Sequence, residues 1–361
     1  MSSVTGNKLR LSVFGESHGA AIGCVLDGLP AGLTLDMDKI DAEMARRAPG
    51  RDKTTTPRRE KDAPQLLSGV LNGVTTGAPL AMMIENTNVH SADYGNVMTV
   101  PRPSHSDYPA FVKYHGWNDV RGGGHFSGRL TAPLVFAGAV AKQLLAEKGV
   151  TVGAHILRIG SVTDDAFDKN DITRAQLECL TDGRFPVMNP DSEDAMRAEI
   201  ERYRLEGDSV GGAVECAAVG LPAGIGGNMM DTLEGRLSQL LFAIPAVKGV
   251  SFGTGFDFAS SCGSAVNDAY TVKDGRVALL SNHNGGILGG ITTGAPLVLS
   301  VAVKPTPSIA KPQQSVNLQT MTEETLLIKG RHDPCIVPRA VPVVEAAVAF
   351  TLADLMVEGG E

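Results

Sequence analysis

Five of the eight histidines, His18, His105, His125, His283 and His332, fall in short runs of Gly, Ser, Asn, Asp or Arg. Imidazole exchanges a proton near neutral pH, and turns on a rigid scaffold carry function more often than element interiors do. One such histidine is as well explained by a structural hydrogen bond; five of them point to acid–base chemistry. There is no H-E-x-x-H and no His/Cys cluster at ligand spacing, so no metal site is expected. Gly15-Glu16-Ser17-His18-Gly19 has the spacing of a nucleophile elbow, a motif that needs a strand, a sharp turn and then a helix. LRLSVF supplies the strand, but AAIGCVLDGLPAG after it reads as a second strand, which argues against a serine hydrolase.

Several segments would suit a small polyanion. Arg46 to Lys61 reads RRAPGRDKTTTPRREK, a local charge of +5 that leaves −13 on the rest of a −8 chain. Pro49-Gly50 and Thr54 to Pro57 interrupt any helix there. Guanidinium forks grip carboxylates and phosphates in pairs, although the same loop would also serve as a solvated face whose charges salt screens. Arg121-Gly122-Gly123-Gly124-His125-Phe126-Ser127-Gly128-Arg129 precedes a helix, where glycines let backbone N–H groups approach a phosphate; Gly285 to Gly290 offers the same in the second half. Glycines needed for helix packing would look alike. Neither run is G-x-G-x-x-G, so a Rossmann nicotinamide site is not expected. Lys304-Pro305-Thr306-Pro307-Ser308 joins a cation, two hydroxyls and two φ-locked residues after a strand, as a phosphate site or as an exit turn. In Arg331-His332-Asp333-Pro334-Cys335, before the last helix, Asp333 is either a helix cap or a proton acceptor.

The elements that must hold these turns come from one plan used twice. Gly28-Leu29-Pro30-Ala31-Gly32 returns as Gly220 to Gly224. GVLNGVTTGAPL at 69–80 matches GILGGITTGAPL at 286–297 in nine of twelve positions. Arg129 and Pro133 open one apolar helix, Arg339 and Pro342 another. The expectation is one domain over 1–361, with repeat halves at about 10–150 and 211–356 and a charged surface excursion at 164–208, whose helix starts at a cap on Asp191 or Ser192. Strands are expected at LRLSVF, IGCVLDG, LAMMIE, VGAHILRI, GGAVECAAVGL, KGVSFGTGF and LVLSVAVK. Helices are expected at 36–47, 131–148, 192–206, 230–242 and 341–357. Strand pairs come before helices instead of alternating with them, which favours an α+β fold.

Composition narrows the partners. Hydrophobic residues make up 43% and charged residues 20%, enough for a core and against disorder. A charge of −8 argues against a general nucleic-acid or membrane-surface binder. No uninterrupted apolar run reaches the ~18 residues of a bilayer span. Five scattered cysteines without C-x-x-C fit reduced thiols, and the N-terminus shows no secretory pattern, so the cytoplasm is the expected compartment.

Taken together, FGESHG, RPSHSD, GGGHFSGR, SNHNGGILGGITTG, KPTPS and GRHDPC, in this order and spanning about residues 9 to 350, resemble the signature blocks of the chorismate synthase family. The resemblance implies a β-α-β sandwich with an internal pseudo-twofold repeat, assembled as a homotetramer. It implies a carbon–oxygen lyase of the shikimate pathway, on the route to aromatic amino acids, that turns 5-enolpyruvylshikimate 3-phosphate into chorismate and phosphate. The reaction is a redox-neutral 1,4-anti elimination that needs reduced FMN. NADPH and a separate flavin reductase are the candidate sources of reduction.

By the same resemblance His18 protonates the departing phosphate, His105 keeps the reduced flavin suitably protonated, and Asp333 takes part in removing the ring proton. Arg47 and Lys53 hold a phosphate of substrate or NADPH, and Arg102, Arg129 and Arg331 bind substrate or flavin. FMN contacts fall on His125, Phe126, Ser127, Pro245, Ala246, Gly289, Lys304, Pro305, Thr306, Pro307, Ser308 and Arg331. The chain departs from the family at His125 and Phe126, where Arg-Ser is common, at Lys53 for arginine and at Pro245 for asparagine. An FMN oxidoreductase with its own nicotinamide site and a non-catalytic anion binder are the competing classes.

Overall fold

The computed structural model describes residues 3–50, 62–86, 99–182, 185–328 and 333–359; Lys53, Arg331 and His332 lie outside them. In chain order the first elements are β1 (Val4–Thr5), β2 (Arg10–Gly15), β3 (Ala21–Asp27), α1 (Met37–Arg47), β4 (Gln65–Ser68), β5 (Val70–Leu71), β6 (Val74–Thr75) and β7 (Leu80–Glu85). Then follow α2 (Asp107–Lys113), α3 (Thr131–Glu147), β8 (Thr151–Ile159), β9 (Val162–Thr163), α4 (Arg174–Leu180), α5 (Pro190–Leu205), β10 (Gly212–Val219), α6 (Leu233–Ala243) and β11 (Val247–Phe252). The last are α7 (Gly263–Val266), β12 (Tyr270–Lys273), β13 (Arg276–Leu279), β14 (Ile287–Leu288), β15 (Ile291–Thr292), β16 (Leu297–Val303), β17 (Gln313–Asn317), β18 (Thr322–Leu326) and α8 (Val337–Glu358).

Two antiparallel five-stranded sheets face each other across a helical layer. One runs β4-β7-β3-β2-β1 and the other β11-β16-β10-β8-β9. The repeated sequence blocks occupy matching places: β3 and β10 lead into the two Gly-Leu-Pro-Ala-Gly turns, and β7 and β16 begin at the last leucine of the repeated dodecapeptide. The small hairpins β5–β6 and β14–β15 correspond likewise. Gly289 and Gly290 therefore form a hairpin turn, not a phosphate loop at a helix start. β8 takes in the second sheet the place that β2 has in the first, so that sheet draws on residues well before 211.

Between the sheets, α3 packs on β2 and β3, α8 on β8 and β10, and the two helices on each other. Burial on both faces is why these helices are apolar all round instead of amphipathic. By length and composition alone either could cross a membrane, yet the two sheets cover them. Their crossing is close because Gly138 has no side chain: a Cβ there would lie 2.3 Å from the Cα of Ala346.

Helix ends differ from expectation in informative ways. α5 is capped by Asn189, which accepts the N–H of Asp191, and Pro190 fills the first helical position, where no N–H is needed. α6 starts at Leu233 behind the Thr232 cap. α8 begins four residues before the expected start, so Pro342 lies inside the helix. Segment 164–208 is more than a charged excursion, since Phe167, Ile172, Leu177 and Leu180 pack on Ala217 and Val298, the outward residues of β10 and β16. His155, fully buried between Asp164 and Glu215, fastens it to the sheet. Burial pushes the imidazole's pKa down, but the two carboxylates override this and raise it.

A buried charge quartet joins α1, α3 and α8. Glu345 accepts both terminal nitrogens of Arg46 at 2.7 Å, the Lys142 ammonium and the Ala154 N–H, while Glu43 takes further bonds from Arg46 and Lys142. Burial pushes the Glu345 carboxyl up, yet Arg46 and Lys142 hold it below the ordinary range. Glu345→Gln keeps the volume and removes the charge, and is expected to cost about 3–5 kcal/mol near neutral pH. The folded state binds fewer protons than the unfolded one here, so the wild-type advantage is complete above the ordinary value of 4.5 and shrinks as pH falls below it. Denaturant melts of both proteins across that range check this; a gap that ignores pH would rule out a buried anion.

Candidate functional site

The β2–β3 turn carries His18, and the segment before α3 carries three consecutive glycines. Gly122, Gly123 and Gly124 all have positive φ (58°, 87° and 54°), a region L side chains rarely adopt. The bare backbone lets two imidazoles close in: a Cβ on Gly122 would lie 2.2 Å from Cε1 of His18, and one on Gly123 3.3 Å from Nε2 of His105. The hydroxyl of Ser17 donates to the carbonyl of Arg121, so its oxygen, 2.9 Å from Nδ1 of His18, is placed to accept that N–H. This leaves Nε2 as the ring nitrogen turned away from Ser17.

His105 is set by Asp107, whose Oδ1 lies 2.5 Å from Nδ1 of the ring. Arg102 grips the same carboxylate through Nε and Nη2 at 2.7 and 2.8 Å. Burial works to raise the Asp107 pKa, but Arg102 and His105 reverse this and hold it well below the carboxylate range. Asp107 is therefore an anion that accepts the Nδ1–H bond and leaves Nε2 of His105 toward Gly123.

The arginines close a ring of contacts around these histidines. Arg47 ends α1, as the helix expected over 36–47 requires, and is 2% exposed. It donates to Asp62 at 2.5 Å, to Thr131 and to the Gly128 carbonyl. Asp62 also pairs with Arg129, whose Nε donates to Asn86. Burial raises the Asp62 pKa, but the two guanidiniums together lower it below the ordinary value. Asn86 in turn holds the carbonyls of Glu16 and Gly19 on the His18 turn. On the other side Arg339 donates to the Arg47 carbonyl and, at 2.7 Å, to Asp333. The Asp333 carbonyl accepts from Thr306, and Ser308, two residues on, is 3.5 Å from Arg102. Asp333 does not cap α8, whose cap position is Ile336.

The Lys304–Ser308 turn faces this ring through Lys304, whose ammonium donates to the Ser104 carbonyl. Burial and the neighbouring Lys248 push the Lys304 pKa down, and among the described residues neither lysine has a carboxylate partner. The backbone N–H of Lys304 donates to the carbonyl of Ala246, which has φ +75° beside exposed Pro245. Two uncompensated cations among hydroxyls and tight turns suit a phosphate ester, and so fit a flavin mononucleotide. His125 is held by Gly15 and Ser3, Phe126 leans on Tyr114, Ser127 accepts the Arg129 N–H, and Gly289 is a hairpin tip with open space around it. A concavity of about 550 Å³ beside Leu157, Arg158 and Gly212 shares no side chain with the ring. Asp62, Asn86, Arg339 and Lys248 were not singled out from the sequence as site residues. Only Asp62, an acid directly after a basic run, carried a local signal.

An α+β sandwich that holds imidazoles, guanidiniums and carboxylates around one turn defines an enzyme built for proton transfer on an anionic substrate. Residues 9–357 match the family model described as chorismate synthase. Curated chorismate synthases of Thermococcus kodakarensis and Korarchaeum cryptofilum are 48% and 47% identical, each over 97% of this chain and 96% of the relative. One from Dehalococcoides mccartyi is 46% identical over 100% of the chain and 98% of its own length. A solved structure titled as that of chorismate synthase superposes with a TM-score of 0.77 at 30% identity, covering 98% of this chain and 93% of the other. The chain belongs to the chorismate synthase family. Its activity is the lyase reaction of the shikimate pathway that forms chorismate from 5-enolpyruvylshikimate 3-phosphate, and the family requires a reduced flavin.

Gly122→Ala places a methyl group where the His18 ring now lies. Displacement of about 1 Å is expected to lower kcat by about 10²-fold. Steady-state kinetics alongside a thermal melt check this; native turnover with the methyl in place would contradict the assigned contact.

Proposed function

We propose that His18, His105 and Asp333 divide the proton work of this elimination, with reduced FMN as the bound flavin. The carrying observation is that His18 and His105 meet consecutive glycines of one turn, on a contact ring that also includes Asp333. His18 delivers the proton on Nε2 to the departing phosphate. Asp333, one oxygen of which is held by Arg339, accepts the ring proton. His105, whose Nδ1–H is given to Asp107, would present Nε2 for proton exchange with a bound reduced flavin. Arg102 and Arg129 hold the substrate's anionic groups, and positive charge at the leaving phosphate favours the transition state.

Lys304, Thr306 and Ser308 would hold the flavin phosphate, with Pro245, Ala246, Gly289, Pro305, Pro307, His125, Phe126, Ser127 and Arg331 as further contacts. When bound, the reduced flavin supplies transient electron density that weakens the carbon–oxygen bond. Proton and phosphate depart from opposite faces, 1,4-anti, with the acid on the β2–β3 turn and the base on the segment before α8. Burial of Arg47 against Asp62 supports reduced flavin arriving from outside, through a separate reductase, over NADPH bound at Arg47 and Lys53. Exposed Trp117, Met229, Met230 and Phe256 support burial between copies of the chain, as in a homotetramer, and reduced thiols fit a cytoplasmic setting.

His18→Ala and Asp333→Ala are expected to keep FMN affinity and lose about 10²–10⁴-fold in kcat. Anaerobic chorismate formation with dithionite-reduced FMN, and with oxidised FMN and NADPH in place of dithionite, measures this. Native turnover in either variant would remove that residue's role, and turnover supported by NADPH alone would remove the external reductant.

A further inference from the structure

We propose that Asn86 is a positioning residue that couples the His18 turn to the Arg129 guanidinium. It directly follows β7, and its side-chain amide is half-buried with both donors used. Nδ2 donates to the carbonyl of Glu16 at 3.0 Å and to that of Gly19 at 2.9 Å, while Oδ1 accepts from Nε of Arg129 at 3.2 Å. The backbone N–H adds a bond to the Ala20 carbonyl at 3.1 Å. This amide orientation is the one the surroundings allow. Flipped, its oxygen would face two carbonyls and its NH₂ group a guanidinium.

The two carbonyls belong to residues on either side of the Ser17-His18 pair. The turn closes on itself through the Gly19 N–H to the Glu16 carbonyl at 3.0 Å, so the amide grips both ends of a closed unit. Arg129 is held on its far side by Asp62. His18 cannot shift against Arg129 without breaking one of these bonds, and a misplacement of about 1 Å can cost about 10²-fold in rate. Proton donor and anion holder thus share one neutral bracket, which adds no charge that would compete with the substrate. Aspartate in its place would turn an oxygen toward two carbonyls, and glutamine would carry an extra methylene.

This inference rests on the proton-donor role given to His18, and the test separates the two. In a double-mutant cycle, Asn86→Ala is expected to lower kcat by about 10²-fold in the native chain. Once His18 is already alanine, it is expected to lower kcat by no more than about 2-fold, because residues acting through one another are not additive. Equal factors in both backgrounds would reduce Asn86 to a structural residue and overturn the proposal. The isosteric Asn86→Asp guards against a folding defect: it keeps the acceptor for Arg129 and loses both bonds to the turn, so kcat should fall more than KM rises. In holoenzyme labelled with ¹³C-histidine, the His18 resonance, assigned by its loss in His18→Ala, should move in both Asn86 variants. An unmoved resonance would overturn the bracket even if kcat fell. Full turnover in His18→Ala would sink the proton-donor role, and the resonance would still decide whether Asn86 fixes the turn.

Discussion

A guanidinium removed from water needs a carboxylate beside it, and the placement of three buried carboxylates decides where the cations of this enzyme lie. Glu345 fixes Arg46, Asp62 fixes Arg47 together with Arg129, and Asp107 fixes Arg102. Desolvation pushes each carboxylate toward its protonated form, and the paired cations more than reverse this in all three. Much of the local positive charge in this acidic chain is therefore held by fixed partners. Such pairs add little net stability, and their value here is geometric.

The scaffold makes that geometry possible. Two sheets of the same strand order cover α3 and α8, and the site forms where the turns of the first sheet, the approach to α3 and the approach to α8 converge. His18 comes from a strand turn, the three glycines from the segment before one central helix, and Asp333 and Arg339 from the start of the other. No single element holds the site. Fold and chemistry are joined through the contacts that link these ends.

Much of this was legible in the sequence. Strand periods, turn residues and the repeated blocks foretold seven strands of the two large sheets and the five long helices, because burial on one face or on both leaves a period in the residues. The outer strands β1, β4 and β9 and the small hairpins, β17–β18 among them, were missed. His18, His105 and Asp333 were marked by unusual neighbours in tight turns. Short α2 and α4 were missed, since seven residues carry too few periods, and the cap of α5 was placed too late because Pro190 masked the start. Asn86 and Arg339 were harder still. An asparagine after a strand and an arginine at a helix start are common, and their roles come from partners 43 to 70 and 292 positions away. For Arg47, local charge density left anion binding and a solvated face both open, and the pairing with Asp62 draws it inside.

Arg46 and Arg47 are neighbours in one helix, yet the first belongs to the interior quartet and the second to the contact ring of the candidate site. Successive residues in a helix are separated by about 100° of rotation. Inserting or deleting one amino acid in α1 would turn the helix by that angle and present the wrong arginine to each partner at once. The angular phase of a single helix thus ties hydrophobic core and active centre together, so drift in one is restrained by selection on the other.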